Sequence, residues 1–589
     1  MLKRIGLSAA MAFTVSVVGC TGDTGPQGAK GDTGATGATG ATGPAAGSVD
    51  AAASYTTATP IKHLVVIYGE NVSFDHYFAT YPVATNPSGE PAFTAASGTP
   101  SDIATLQSAG LNNDTNPNYT NSANGADAAA PFRLDRSQAA TADQNHAYTA
   151  EQQAYDNGAA DLFPKYTGKG TSGGAGAFGT KGQVMGYYDG NTVTALWNYA
   201  QEFAMSDNAY TDTYGPSTPG ALELVSGQTN GMVNDATTYN PFTLSAYSYY
   251  VNDGQGGYTM INDVDPTDDA CSSATNHAHM TGKNIGDLLN DQGITWGSFM
   301  GGFNLGLTNA NLSTGCKRST YSSVVNSTVT DYIPHHAWFQ YYASTSNPTH
   351  ARPSSTDRIG YSTEADGATP EPANHEYDIN DFYTAVSAGN FPAVTYLKAP
   401  AYQDGHAGYS DPLDEQDFVV NVVNFLEQQP EWSSTAIVVT WDDSDGWYDH
   451  QYATPTHTSY DSQADQVNGS GICGTDATSA PQPNGVGGAP VNGRCGPGTR
   501  IPFLVISPWA KTNYVDHTLV TQASVVRFIE DNWLSGQRIG GGSFDADAAT
   551  GSIMSMFDFG SSTASNSVAR KVYITPSTGL IAASAPTKS

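Results

Sequence analysis

The sequence predicts an α/β fold: a doubly wound, mostly parallel sheet with helices on both faces and long loop insertions. Three observations carry that expectation. Short apolar runs recur along the chain without the polar alternation of a strand that has one wet face. Helix-period patterns lie between them. Stretches rich in Asn, Ala, Thr and Gly interrupt both and read as loops.

In chain order, Ile61-Lys62-His63-Leu64-Val65-Val66-Ile67-Tyr68 is the first buried-strand candidate. Residues 84–130 read as a long surface excursion. Pro392 to Leu397 is the second strand. Val419, Val422, Val423 and Leu426 fall at helix spacing. Ser410 or Asp411 can cap that helix, and Pro412 suits its first turn. Thr435 to Trp441 and Pro502 to Ser507 are the third and fourth strands. A further helix is expected from Thr521 to Trp533, with Val525, Val526 and Ile529 on one face. Beyond about Arg538 the chain turns to Gly, Ser and Ala, so 538–589 reads as a C-terminal extension to a domain spanning 60–537.

The start of the chain reads as targeting. Lys3 and Arg4 precede the apolar run Ile5 to Val18, which is shorter than the ~20 residues a membrane span needs. It ends in Val17-Val18-Gly19-Cys20, which resembles a bacterial lipobox. Residues 1–19 would then be a lipoprotein signal peptide and Cys20 a lipid anchor. The expected location is the bacterial envelope, at the outer membrane or cell surface, with release as a further outcome. Thr21 stands where an Asp would retain the protein at the inner membrane. Residues 20–47 place Gly at every third position from Gly22 to Gly43, as in a collagen helix. That stalk is either a flexible spacer or the seat of a trimer, and residues 48–59 link it to the domain. Four cysteines remain after Cys20: Cys271, Cys316, Cys473 and Cys495. Three pairings are open to them. The sequence-local pairs Cys271–Cys316 and Cys473–Cys495 are favoured, and no close Cys–Cys spacing supports a zinc site.

The chain of 589 residues carries 23 Lys and Arg against 55 Asp and Glu, a net charge of −32. That balance excludes nonspecific nucleic-acid binding, which needs clustered cations against phosphates. Aromatic residues at 11% exclude disorder throughout.

Functional groups of open α/β sheets gather at the carboxyl ends of strands. Two such ends here are acidic. The first strand leads to Glu70-Asn71-Val72-Ser73-Phe74-Asp75-His76-Tyr77-Phe78, and the third to Asp442-Asp443-Ser444-Asp445-Gly446. Adjacent buried carboxylates repel unless a cation lies between them. Oxygen ligands from Glu, Asn and Asp suit a hard or borderline divalent metal. A third segment, Tyr214-Gly215-Pro216-Ser217-Thr218-Pro219-Gly220, runs into a helical pattern. A hydroxyl at a helix N-terminus sits where a phosphate is favoured. Beside a metal, Ser217 could act as a nucleophile; otherwise Ser217 or Thr218 merely caps the helix. His146, His335, His336 and His406 are candidates for proton transfer or for pairing with phosphoryl oxygens.

These segments together resemble the bacterial phosphoesterase family that joins phospholipase C enzymes and AcpA-type acid phosphatases. The resemblance runs in order from Glu70-Asn71 through Gln144-Asn145-His146, Met185-Gly186-Tyr187-Tyr188, Gly215-Pro216-Ser217-Thr218-Pro219, Ile333-Pro334-His335-His336, Gly405-His406 and Asp442-Asp443. It ends in Arg500-Ile501-Pro502-Phe503 and Ser507-Pro508-Trp509. It implies an alkaline-phosphatase-like fold. Glu70, Asn71, Asp442 and Asp443 would hold one divalent metal ion (Ca, Mg, Mn, Fe or Zn), with Ser217 as nucleophile and extra ligand. His146, His336 and His406 would line the phosphoryl site, with His335 as the alternative to His336. His406 would protonate the leaving oxygen. Phospholipase C members carry Thr at the nucleophile position, so Ser217 favours a phosphate monoester as substrate, with a phosphodiester lipid as the alternative. Gly69 stands where relatives often have Gln. A noncatalytic surface adhesin would show a degraded set, whereas every matched position here is filled.

Overall fold

The computed structural model describes residues 50–233, 246–475, 481–547, 550–560 and 569–586. The signal segment, Cys20, the Gly-X-Y repeat and the start of the linker lie outside the described residues.

The core is one eight-stranded sheet. Its strands are β1 (His63–Gly69), β2 (Ala204–Ser206), β3 (Trp296–Met300), β4 (Glu376–Asp378), β5 (Val394–Lys398), β6 (Thr435–Trp441), β7 (Phe503–Ile506) and β8 (Tyr514–Asp516). In space they run β4-β3-β5-β1-β6-β7-β2-β8. β7 pairs antiparallel with both β6 and β2, while every other pairing in the sheet is parallel. All residues of β1, β5, β6 and β7 are buried. A strand buried at every position has both faces covered, which explains why these four runs lack alternation.

The chain between the strands supplies the covering helices. Five of them bear on the site: α1 (Phe74–Phe78), α2 (Tyr148–Tyr155), α3 (Ser217–Ser226), α4 (Pro412–Glu427) and α5 (Ala523–Trp533). α4 begins where its cap and proline direct. Asp411 accepts from the backbone N–H groups of Leu413 (2.8 Å) and Asp414 (3.0 Å). Ser410, the other candidate cap, instead accepts from Gly405 N–H at 3.1 Å and so holds the His406 loop. Val419, Val422, Val423 and Leu426 are all buried. α5 starts two residues later than its periodicity suggests, because Thr521 belongs to a short strand that pairs with Ala209–Tyr210.

Residues 84–130 are mostly irregular, as expected, but Phe93, Ile103 and Leu106 pin the excursion into cores. The segment after Arg538 is more deeply embedded than its composition suggests. Phe544, Ile553, Met556 and Ile574 are buried, and Asn424 of α4 holds both the N–H and C=O of Ile574. A Gly- and Ser-rich background conceals these few anchors. A second, five-stranded sheet takes the order Tyr250–Asn252, Tyr258–Met260, Asn230–Val233, His277–Met280, Asp265–Pro266. Among the described residues no helix is long and apolar enough to cross a membrane.

Both sequence-local disulfides are present, Cys271–Cys316 and Cys473–Cys495. The second closes 22 residues of chain. Replacing both of its cysteines by Ser should cost about 3 kcal/mol of stability, read as a lower denaturant midpoint.

Candidate active site

Two neighbouring strands deliver the acidic segments together. β1 and β6 pair in register with Gly69 opposite Trp441, so Glu70-Asn71 and Asp442-Asp443 leave the sheet side by side. The Gly69 position, where the resemblance leads one to expect Gln, is filled from outside. A Cβ there would lie 2.5 Å from the Trp441 indole nitrogen and 2.9 Å from a Glu415 carboxyl oxygen. The third piece is the N-terminus of α3, whose first residue is Ser217. Gly220 allows α3 to reach the end of β6: a Cβ at this position would stand 2.0 Å from the Asp442 carbonyl oxygen. Both partners are backbone, so neither can rotate away. Gly220→Ala should therefore cost about 1–3 kcal/mol of stability, measured by thermal unfolding, and should lower activity by lifting Ser217 off the carboxylates.

The Ser217 hydroxyl is the centre of the arrangement. Its Oγ lies 3.0 Å from Glu70 Oε2, 3.2 Å from Asn71 Oδ1 and 3.3 Å from Asp443 Oδ2. Asp442 Oδ1 closes the ring, accepting the backbone N–H groups of Asn71 (3.0 Å) and Asp443 (2.9 Å). Glu70, Asn71, Ser217, Asp442 and Asp443 are all buried. All five residues expected as metal ligands are thus brought to one point.

The Asn71 amide tests whether a cation fits there. Its oxygen lies 2.8 Å from Glu70 Oε2, 3.0 Å from Asp442 Oδ1, 3.1 Å from Asp443 Oδ2 and 3.2 Å from Ser217 Oγ. Its nitrogen lies 2.9 Å from His406 Nε2. Without a cation, four acceptors would draw the NH2 end inward. With a cation the oxygen joins the ligand set, and the NH2 donates to His406. The His406 Nδ1 lies 2.5 Å from the Ala407 carbonyl oxygen. That contact places a proton on Nδ1 and leaves the Nε2 lone pair facing Asn71. A hard or borderline divalent cation fits this oxygen donor set.

The electrostatics agree. Burial, and then the charge of Asp442, hold the carboxyl groups of Glu70 and Asp443 well above the ordinary carboxylate range. The nearest fixed cation is Lys398, at the end of β5, whose ammonium contacts Glu70 Oε1. Burial pulls this lysine down, but Glu70, Asp442 and Asp404 outweigh it and keep it charged.

The histidines divide by environment. Burial opposes the charge on His146, but Asp443, Asp445 and Asp143 overcome it and raise its pKa well above the ordinary value. Its Nδ1 lies 3.0 Å from Asp445 Oδ1. His406, its ring 5.9 Å from that of His146, is held at about 4 by burial and by the His146 charge. His336 is buried with Nδ1 3.3 Å from Glu70 Oε1; burial and His335 keep it neutral. His335 turns the other way, toward Asp265 at 3.5 Å, so His336 is the member of the pair beside the ligand cluster.

Lys398, Asp404 and Glu151 belong to the same neighbourhood and escaped the sequence reading. Lys398 had a signal, as the first charged residue after the apolar run ending at Leu397. Asp404 links Glu70, through its backbone N–H at 2.8 Å, to His406 N–H at 3.0 Å. Nothing in local sequence marks Asp404 or Glu151.

A hydroxyl at a helix start, an oxygen cradle that fits a cation and a protonated imidazole suit a multiply charged tetrahedral anion. That is the chemistry of phosphoryl transfer; acyl transfer by a serine needs no such cradle. The chain belongs to the Phosphoesterase family, which it matches over residues 61–534. It is 33% identical over 152 residues to the non-hemolytic phospholipase C of Pseudomonas aeruginosa, covering 25% of this chain and 21% of that protein. It is 28% identical over 149 residues to the non-specific phospholipase C6 of Arabidopsis thaliana, covering 24% of each. The matched part thus spans about a quarter or less of these relatives. A solved alkaline phosphatase superfamily protein from Vibrio parahaemolyticus aligns over 60% of this chain and 62% of its own, at 11% identity and a TM-score of 0.25.

Proposed function

We propose that the protein is a metal-dependent acid phosphatase that hydrolyses phosphate monoesters through a phosphoserine. The observation that carries the reading is the convergence of Glu70, Asn71 and Asp443 on the Ser217 hydroxyl, with Asp442 against the Asn71 amide. A divalent cation bound there would lower the pKa of that hydroxyl and offset negative charge on the phosphoryl oxygens. Ser217 Oγ attacks phosphorus in line, the P–O bond to the leaving group breaks, and the leaving oxygen takes a proton. Water then cleaves the phosphoserine and restores Ser217.

The proton source is His146 in this reading, because Asp443, Asp445 and Asp143 keep it charged. His406, first choice from the family resemblance, presents a lone pair to Asn71 and serves to aim the amide oxygen inward. His146⁺ and Lys398 also offset the second charge that a monoester carries and a diester lacks. The deciding experiment compares a nitrophenyl phosphomonoester, its diester analogue and phosphatidylcholine between about pH 4 and 8. Preferred turnover of the monoester with an acidic optimum supports the reading. Preferred turnover of the diester or the lipid would move the protein to the phospholipase C activity that its relatives' names carry.

An acidic working range also suits the fold. Burial lifts the carboxyl groups of Glu223 and Glu415 to about 8 each. In the unfolded chain such groups titrate near 4.3. The folded protein therefore binds more protons between those values, and its stability falls as pH rises through them. The melting temperature should drop by several degrees from pH 5 to pH 8. The double variant Glu223→Gln, Glu415→Gln should flatten that drop.

Export and lipid anchoring at Cys20, with the Gly-X-Y segment as a flexible spacer or the seat of a trimer, remain part of the proposal on the strength of the sequence motifs. Cleavage before Cys20 and acylation of that residue would appear in the mass of the mature N-terminal peptide.

A further inference from the structure

Glu151 sits on α2, buried, and its carboxyl oxygens bond to Gly215 and Ser444 rather than to Ser217 or the acidic ligands. Its two carboxyl oxygens face different halves of the site. Oε2 accepts the backbone N–H of Gly215 at 2.9 Å. Oε1 accepts the Ser444 hydroxyl at 2.7 Å. Gly215 is two residues before the nucleophile, in a left-handed turn at φ 119°. Ser444 directly follows Asp443, and its Oγ in turn accepts Gly446 N–H at 3.1 Å, holding the turn that carries Asp445. Asp445 pairs with His146, and His146 lies on the segment that runs into α2. One side chain therefore spans the nucleophile turn, the acidic turn and the histidine segment.

We propose that Glu151 is a positioning residue that sets the spacing between Ser217 and the Asp442–Asp443 pair, and so keeps the attacking oxygen in line with the phosphorus. The inference rests on the phosphoester reading above and adds a residue to it. Gly215 and Ser444 belong to segments more than 200 residues apart in sequence, and the Glu151 carboxyl group ties them together beside the backbone approach of Gly220 to Asp442. The bridge works by shape. A Gln can accept from Gly215 and donate to Ser444 Oγ, whereas Ala leaves the Gly215 N–H and the Ser444 O–H without their acceptor.

The test uses Glu151→Gln, Glu151→Ala and Ser444→Ala, each with saturating divalent cation. The expected result is a kcat within about 3-fold of the parent for Gln and a loss on the order of 100-fold for Ala, since a misplacement of about 1 Å costs that much. Ser444→Ala, which removes one of the two anchors, should fall between them. KM and bound-cation content should change little. Titration with vanadate, whose five-coordinate adduct needs the attacking oxygen in line, reads the same geometry without turnover. Glu151→Ala should weaken vanadate binding while leaving inorganic phosphate binding near the parent value. Parent-like kcat and vanadate affinity in Glu151→Ala would overturn the proposal, as would a Gln variant as impaired as Ala. If Glu151→Ala does not fold, Ser444→Ala decides by the same two readouts. Failure of the phosphoester reading looks different: the parent protein itself turns over no phosphate ester.

Discussion

Ser217→Ala should reduce turnover of phosphate esters by about 10⁴-fold or more while leaving the protein folded, because loss of a covalent nucleophile removes the whole low-barrier route. The substitution deletes one oxygen from a buried position and leaves the helix backbone of α3 unchanged. Substrate affinity should survive, since His146, Lys398 and the remaining oxygens stay in place. Acid quenching of the parent protein during turnover should trap one phosphoryl group on the peptide containing Ser217, detectable by mass spectrometry. An Ala variant that retains full turnover would end the serine mechanism.

Asp443→Asn should be nearly as damaging by a different route. Asp443 Oδ1 accepts the Asp445 backbone N–H at 2.5 Å, a bond that the Asn oxygen can keep. The Oδ2 position, 3.3 Å from Ser217, then becomes an NH2 group that cannot ligate a cation. Metal content by elemental analysis should fall, and turnover with it by about 10³-fold, the scale of several kcal/mol of lost charge stabilisation. A chelator should reproduce the inactive state in the parent protein and lower its melting temperature, with recovery on re-addition of the cation. The variant should show neither the chelator effect nor the recovery. An Asn variant that keeps its metal would remove Asp443 from the ligand set.

Much of this site was legible from the residues, for identifiable reasons. A strand buried on both faces must be apolar throughout, so β6 was readable to the residue at Thr435 and Trp441. Its abrupt end in Asp442-Asp443 was equally visible, because a charge pair after such a run has few uses. The start of α4 followed from Asp411 and Pro412. Other parts left no mark. β2, β4 and β8 have three residues each, too few for a period to show. The small sheet around Asn230–Val233 and His277–Met280 alternates too weakly to be seen. Glu151 lies in the polar run Thr149 to Gln153, where nothing distinguishes a buried acid from a solvated one. Its role comes from two partners distant in the chain, and such relations are written only in three dimensions.

The pairing of β1 with β6 has a temporal side. Asn71 and Asp442, which meet through a 3.0 Å hydrogen bond, are 371 residues apart. At about 5–20 residues per second of synthesis, roughly 20 to 70 seconds pass between the appearance of the first ligand pair and the second. Throughout that interval Glu70 and Asn71 form only half a chelate. Until Asp442 has been made, the chain lacks half of the acidic segment pair that would form the proposed cation site. A cation held by all four of these residues could bind only after β6, which leads into Asp442 and Asp443, has paired with β1.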